Sequence, residues 1–196
     1  QRAYLVLLQS GVDEHAELVA SVFEPVLAAV APLQADTETT EPTADTPYRS
    51  ENVVFDNEEF TLAGTLTLPE GEPPYAAAVI ISGSGAQARD GNLSPTADID
   101  IYRLLADALT RQGLAVLRYD DRGVGMSEGD FASATIRDFA TDATAAVQYL
   151  RDRDDINTDQ VGVIGHSEGG VVAPLVANQV SELGFVISLA GSTVDG

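Results

Sequence analysis

Val161-Gly162-Val163-Ile164-Gly165-His166-Ser167-Glu168-Gly169-Gly170 reads as a buried strand, a tight turn with a serine at its tip, and the start of a helix. Gln160 to Ile164 supply a short apolar run of strand type, and Val171 to Val180 are apolar and compatible with a helix. In that context Gly165-x-Ser167-x-Gly169 is the pattern of a nucleophile elbow, which points to acyl transfer through a serine. A strand that reverses into a helix at one residue strains that residue's backbone and crowds the positions two away. Gly165 and Gly169 must therefore lack side chains. The hydroxyl of Ser167 is left projecting into a cleft above the positive end of the following helix.

A serine is a weak nucleophile without a base, and the usual base is histidine. The chain has two histidines, His15 and His166. Elbow enzymes run in the order serine, acid, histidine, and no histidine follows Ser167 here. His166 directly precedes the serine, where the turn sends adjacent side chains apart. His15 lies far upstream on a predicted helix and reads as a partly exposed helix residue. The sequence thus predicts a nucleophile without its base.

The 196 residues suffice for one domain with a sizeable core, and 44% hydrophobic residues fit a globular chain. There is no cysteine, so disulfides, thiolate metal sites and a cysteine nucleophile are excluded. No metal site or cofactor motif is read. No apolar run is long enough to span a bilayer, and the apolar Ala3 to Leu8 is too short for a complete signal peptide. The chain begins at Gln1, which reads as a processed or truncated end. The compartment, cytoplasmic or secreted, stays open. The net charge is -21, and all ten basic residues are arginine. Such a surface repels nucleic acid and anionic membranes. The acid excess favours a salt-adapted source, where screening removes the self-repulsion.

Two regions are expected. In residues 1–50, Val12, Ala16, Val19, Phe23, Val26, Leu27 and Val30 recur at helical spacing after a capping-box pair, Ser10 and Asp13, with Pro25 as a kink. An acidic Thr/Pro-rich linker follows over 35–50. From residue 51 to 196 the chain reads as the core. Val53 and Phe55, then Phe60 to Leu68, alternate as an antiparallel hairpin with one face buried, turning at Asp56 to Glu59. Strand–helix repeats come next. Strands are expected at Ala76 to Ile81, Leu114 to Tyr119, Gln160 to Ile164 and Phe185 to Leu189. Helical stripes run over Ile101 to Leu109, ended by Gly113, and over Ile136 to Leu150, opened by Thr135 and Asp138. The predicted class is α/β, a mostly parallel sheet flanked by helices.

Two further loops leave the ends of these strands, where open sheets bind ligands. Ser82-Gly83-Ser84-Gly85-Ala86 suits the stabilisation of an oxyanion, because backbone amides do this best when no side chain blocks approach. Ser84 is the favoured first donor, with Gly85 close behind, and the amide of Glu168 is the second. The loop lacks the Lys-Ser/Thr of a phosphate-binding P-loop and the full dinucleotide spacing. Asp120-Asp121-Arg122-Gly123-Val124-Gly125-Met126-Ser127 reads as a hydrogen-bonded turn bracing the site's edge, an arginine beside acids with glycines following, rather than as a catalytic acid.

Taken together, Ile81-Ser82-Gly83-Ser84-Gly85, Arg118-Tyr119-Asp120-Asp121-Arg122-Gly123-Val124-Gly125-Met126-Ser127 and Gly165-His166-Ser167-Glu168-Gly169-Gly170 resemble the α/β-hydrolase superfamily. They are most similar to its bacterial carboxylesterases and serine aminopeptidase-like members. The resemblance covers about residues 51 to 196. It implies that Ser167 is the nucleophile and that Ser84 or Gly85, with Glu168, forms the oxyanion hole. It also implies a lid and further strands, beyond this sequence, that carry the acid and histidine. The chain is then the N-terminal part of a hydrolase, and Asp195 opens the lid region. The expected activity is serine ester hydrolysis of small-molecule esters, needing the C-terminal part. Peptidase or thioesterase action at the same site, and a non-catalytic binding module on the same fold, are the alternatives.

Overall fold

The computed structural model describes residues 8–9, 47–91 and 100–191. The helical stripe with His15, most of the linker, and Asp195 lie outside the described residues. The elements are β1 (Leu8–Gln9), β2 (Tyr48–Asn57), β3 (Phe60–Pro69), β4 (Tyr75–Ile81), α1 (Ile101–Arg111), β5 (Ala115–Tyr119), α2 (Ile136–Arg151), β6 (Ile156–His166), α3 (Gly169–Gln179) and β7 (Val186–Leu189). The strands form one seven-stranded sheet in the order β1-β7-β6-β4-β5-β3-β2. Strands β4 to β7 pair parallel, β2 and β3 form an antiparallel hairpin, and β1 pairs antiparallel with β7. This is the expected α/β class, with its antiparallel hairpin before a parallel core.

The central strands are covered on both faces, as parallel strands must be. In β4, Ala77, Val79 and Ile81 join the core under α2 and α3, and Ala76, Ala78 and Ile80 join the core under α1. Period-two alternation would have hidden this, because both faces are apolar. The same doubling corrects the expectation for one strand of the hairpin, β3, whereas β2 alternates as expected with Val53 and Phe55 buried. Strand β3 is buried on both faces because α1 packs over one and the larger core covers the other. Leu62, Leu66 and Leu68 face the larger core. Thr67 faces the other way, its hydroxyl 2.6 Å from that of Thr110 in α1.

Strand β2 starts at Tyr48, inside the stretch read as linker. Strand β6 runs from Ile156, earlier than the apolar run suggests, because polar Asn157 to Gln160 extend it. Helix α2 starts where its sequence signal places it. Asp138 N–H donates to the Thr135 hydroxyl, and Thr135 N–H donates to the Asp138 carboxylate at 2.7 Å. Helix α3 carries Pro174, which leaves the Gly170 carbonyl without its helical donor. The Ser188 hydroxyl of β7 donates to that carbonyl at 3.4 Å.

Candidate active site

Strand β6 ends at His166 and α3 begins at Gly169, so two residues make the whole reversal. Ser167 sits in it with φ +54°, a region that L-residues other than Asn, Asp and His rarely enter. The close approach that crowds the turn is quantifiable. A Cβ on Gly165 would stand 2.0 Å from the Gly169 carbonyl oxygen. Gly169 is needed for a different reason than the sequence suggested. A Cβ there would meet the carbonyl oxygens of Ile81 and Ser82, each at 2.4 Å, so it is the start of α3 that presses on the end of β4. Ser167 N–H donates to the Leu189 carbonyl at 2.9 Å, tying the turn to the end of β7. Ser167 and Glu168 are half-buried.

The glycine-rich loop after β4 passes directly against this turn. A Cβ on Gly83 would lie 3.3 Å from that of Ser167 and 3.2 Å from His166 Nδ1. Gly83 N–H is committed, donating to the Tyr102 hydroxyl at 2.7 Å. Gln87 N–H is committed to Asp121 Oδ2 at 2.9 Å. The amides of Ser84, Gly85 and Glu168 donate to no acceptor among the described residues. Ser84 and Gly85 are exposed, and Gly85 has φ +89°. The three candidate donors therefore stand on the two loops that meet at Ser167.

Each side chain of the Asp120–Arg122 turn points to a separate structural partner. Asp120 accepts from Arg89 Nε at 3.0 Å and Nη2 at 2.6 Å, and from the amides of Arg89 and Met126. Burial pushes the Asp120 carboxyl up, but these hydrogen bonds outweigh it and hold it below the usual aspartate value. Arg122 forms a bidentate pair with Asp142 of α2, Nε to Oδ2 at 2.7 Å and Nη2 to Oδ1 at 2.9 Å, and lies over the Phe60 ring. Asn57 also donates to Asp142. Asp121 faces the glycine-rich loop. It accepts from the Ser82 hydroxyl at 2.6 Å and from Gln87 N–H, and its own amide donates to Gln87 O.

Burial is the main reason that the Asp121 carboxyl is pushed up, from 3.8 to about 6, against the two hydrogen bonds that lower it and with Asp142 and Asp120 adding repulsion. An acid whose folded pKa is raised binds its proton more tightly in the folded state. Its contribution to stability is full below pH 3.8 and is lost as pH rises through about 6. Asp121→Asn mimics the protonated acid, donating to Ser82 and accepting from Gln87. The variant is expected to gain on the parent between pH 4 and 7, by at most about 3 kcal/mol. Urea unfolding at several pH values checks this, and a constant difference between the two proteins would refute it.

Of the two histidines, His166 is the described one. Its Nδ1 lies 3.2 Å from the Tyr102 hydroxyl, with the two rings edge to face. Burial pushes its imidazole below the usual histidine value. Tyr102 and Gln87 were not singled out in the sequence, and nothing local to them signals a role. Tyr102 sits within an ordinary apolar helix stripe, 64 residues from its partner histidine. Among the described residues no cluster of three metal-ligating side chains occurs, and no helix is long and apolar enough to cross a membrane.

A family model described as serine aminopeptidase, S33, matches residues 97–192. Esterase EstD of Thermotoga maritima is 31% identical over 137 residues, which is 68% of this chain and 32% of EstD. Hypothetical protein PA2218 from Pseudomonas aeruginosa has a similar fold, with a TM-score of 0.61 at 24% identity over 76% of this chain and 44% of that one. Est1E from Butyrivibrio proteoclasticus, solved with ferulic acid bound, gives 0.51 at 26% identity over 65% of this chain and 47% of its own. The chain spans about a third of the length of the curated relatives it matches. With this sheet order, this turn and these relatives, the chain belongs to the α/β-hydrolase superfamily and is related to its bacterial esterases and S33-type hydrolases.

Proposed function

We propose that this chain carries the nucleophile of a serine hydrolase acting on carboxylic esters. The observation that supports it most is Ser167 at φ +54° between β6 and α3, pressed against a glycine-rich loop whose next amides are unpaired among the described residues. Ser167 Oγ attacks the ester carbonyl carbon while its proton passes to an imidazole. The carbonyl oxygen becomes an oxyanion, which accepts hydrogen bonds from the amide of Ser84 or Gly85 and from that of Glu168. Collapse expels the alcohol, protonated by the imidazolium. Water then attacks the acyl-serine, the imidazole again taking the proton, and the acid product leaves. No metal or cofactor is called on by this sequence of steps.

The imidazole and the acid that orients it are assigned to residues outside those described. His166 is directed to Tyr102, and Asp120 and Asp121 are occupied with Arg89, Ser82 and Gln87. The complete site thus needs the part of its longer relatives that this chain does not span. Ester substrates are favoured because EstD bears that name and Est1E was solved with an aromatic acid. The matched family description favours a second reading, peptide hydrolysis at the same serine.

The test is fluorophosphonate labelling of the complete protein, read by peptide mass spectrometry. An adduct on the Ser167 peptide is expected. An adduct on another residue, or none in a sample that turns over esters, would overturn the assignment.

A further inference from the structure

We propose that Tyr102 is a positioning residue for the oxyanion loop. Its hydroxyl links the loop amide of Gly83 to the imidazole of His166, the residue next to the nucleophile. The inference rests on the serine-hydrolase reading above and assigns a role to a residue that this reading leaves out.

Three segments far apart in sequence meet at one oxygen. Gly83 N–H donates to the Tyr102 hydroxyl at 2.7 Å, and His166 Nδ1 lies 3.2 Å from it. The Gln87 side chain braces the same loop from the other side, its Nε2 donating to the Ser84 carbonyl at 3.0 Å. With the Gly83 amide donating to the oxygen, we assign the tyrosine's own proton to His166 Nδ1. His166 is then neutral, with its proton on Nε2 and its Nδ1 engaged as an acceptor. Both groups hold these states at ordinary pH. Burial pushes the Tyr102 hydroxyl up to about 12 and pushes His166 down.

The tyrosine itself has little freedom. It is 2% exposed. Gly91 lies so close to its ring that an added Cβ would meet it at 2.4 Å, and its own amide donates to Asp90 O at 3.1 Å. The ring is thus a fixed post standing on α1. The glycine-rich loop needs such a post. Gly83, Ser84, Gly85 and Ala86 carry no side chain able to anchor them in the core, and positive φ at Gly85 is open to glycine without strain. Asp121 holds the loop at Ser82 and Gln87, its two ends. Tyr102 holds it at Gly83, immediately before the candidate donors. An oxyanion donor acts only where the oxyanion forms, and a shift of about 1 Å costs on the order of 100-fold. Tethering Gly83 to the residue beside Ser167 fixes donor and nucleophile in one frame.

The experiment is steady-state hydrolysis of a chromogenic ester by the complete protein, with Tyr102→Phe, His166→Phe, their double variant and Ser167→Ala. Tyr102→Phe keeps the ring and removes only the hydroxyl. It is expected to lower kcat by about 10- to 100-fold with KM within about twofold, because the donors act on the transition state and not on the bound ester. Affinity for a trifluoromethyl ketone, which forms a tetrahedral oxyanion on the serine, should fall by a similar factor. His166→Phe should reproduce the loss, and the double variant should lose little more than either alone. In the parent, the nitrogen-15 NMR signal of His166 Nδ1 should be that of an unprotonated nitrogen.

If Tyr102→Phe folds and retains kcat, or raises KM alone, the positioning role is overturned while an inactive Ser167→Ala keeps the serine reading. If Ser167→Ala stays active, both fall. If Tyr102→Phe fails to fold, His166→Phe and the NMR signal still decide. A protonated Nδ1 or an unaffected His166→Phe enzyme overturns the link.

Discussion

Ser167→Ala in the complete protein is expected to lose roughly 10⁵- to 10⁶-fold in kcat, the scale of removing a nucleophile that acts as a unit with its base. The fold should be unaffected. No hydrogen bond is made by the Ser167 side chain among the described residues, so its removal leaves no buried partner unsatisfied. The backbone explains a sharper contrast. At φ +54° any residue with a Cβ is strained, and alanine keeps that strain. Glycine relieves it. Ser167→Gly should therefore be as inactive as Ser167→Ala but more stable, by about 1 kcal/mol. Ester hydrolysis and urea midpoints of the three proteins check both halves. Parent-level hydrolysis by either variant in a verified pure sample would remove Ser167 from the mechanism.

Gly165→Ala is expected to cost at least about 4 kcal/mol, a loss found only where a substitution has a specific steric cause. The cause here is backbone. The added methyl would lie 2.0 Å from the Gly169 carbonyl oxygen and 2.4 Å from its carbonyl carbon, with no rotamer able to retreat. Strand β6 and helix α3 would have to separate, opening the core on both sides of Val163 and Val172. Net stability of a domain this size is commonly about 5 to 15 kcal/mol, so the variant should be largely unfolded or insoluble. Gly113→Ala provides the comparison. Gly113 has φ +96°, but a methyl added there would meet nothing within 4 Å, so only conformational strain is added, about 1 kcal/mol. Similar urea midpoints for the two variants would show that crowding at the turn does not matter.

What was legible in the sequence is what is local. Thr135 and Asp138 are three residues apart and form their capping box with each other, so the start of α2 could be read directly. The turn at Ser167 was legible for the same reason, since the clash that demands glycine at 165 comes from 169. The demand at 169 was read too, but not its cause, which is β4, more than eighty residues upstream in the chain. Asp121 shows the limit from another side. Two acids followed by an arginine mark a braced turn, but not that Asp120 holds Arg89, that Arg122 holds Asp142, or that Asp121 holds the glycine-rich loop. The two-sided burial of β3 escaped for a related reason. Its alternation of Leu with Thr and Ala looks half-solvated, but α1 supplies Thr110 as a buried hydroxyl partner.

The hydrogen bond from Ser167 N–H to Leu189 O carries a consequence for how the protein is made. The ribosome delivers the chain from the N-terminus, so Ser167 emerges well before the carbonyl that fixes it. Until Leu189 is threaded alongside β6, the serine's strained backbone has no reason to stay strained and can relax to an ordinary conformation. The geometry of the turn is then fixed only after β7 has been made. On the proposed reading of Ser167, a growing chain carries its serine in an unarmed state, protected from premature acylation by timing rather than by a shield.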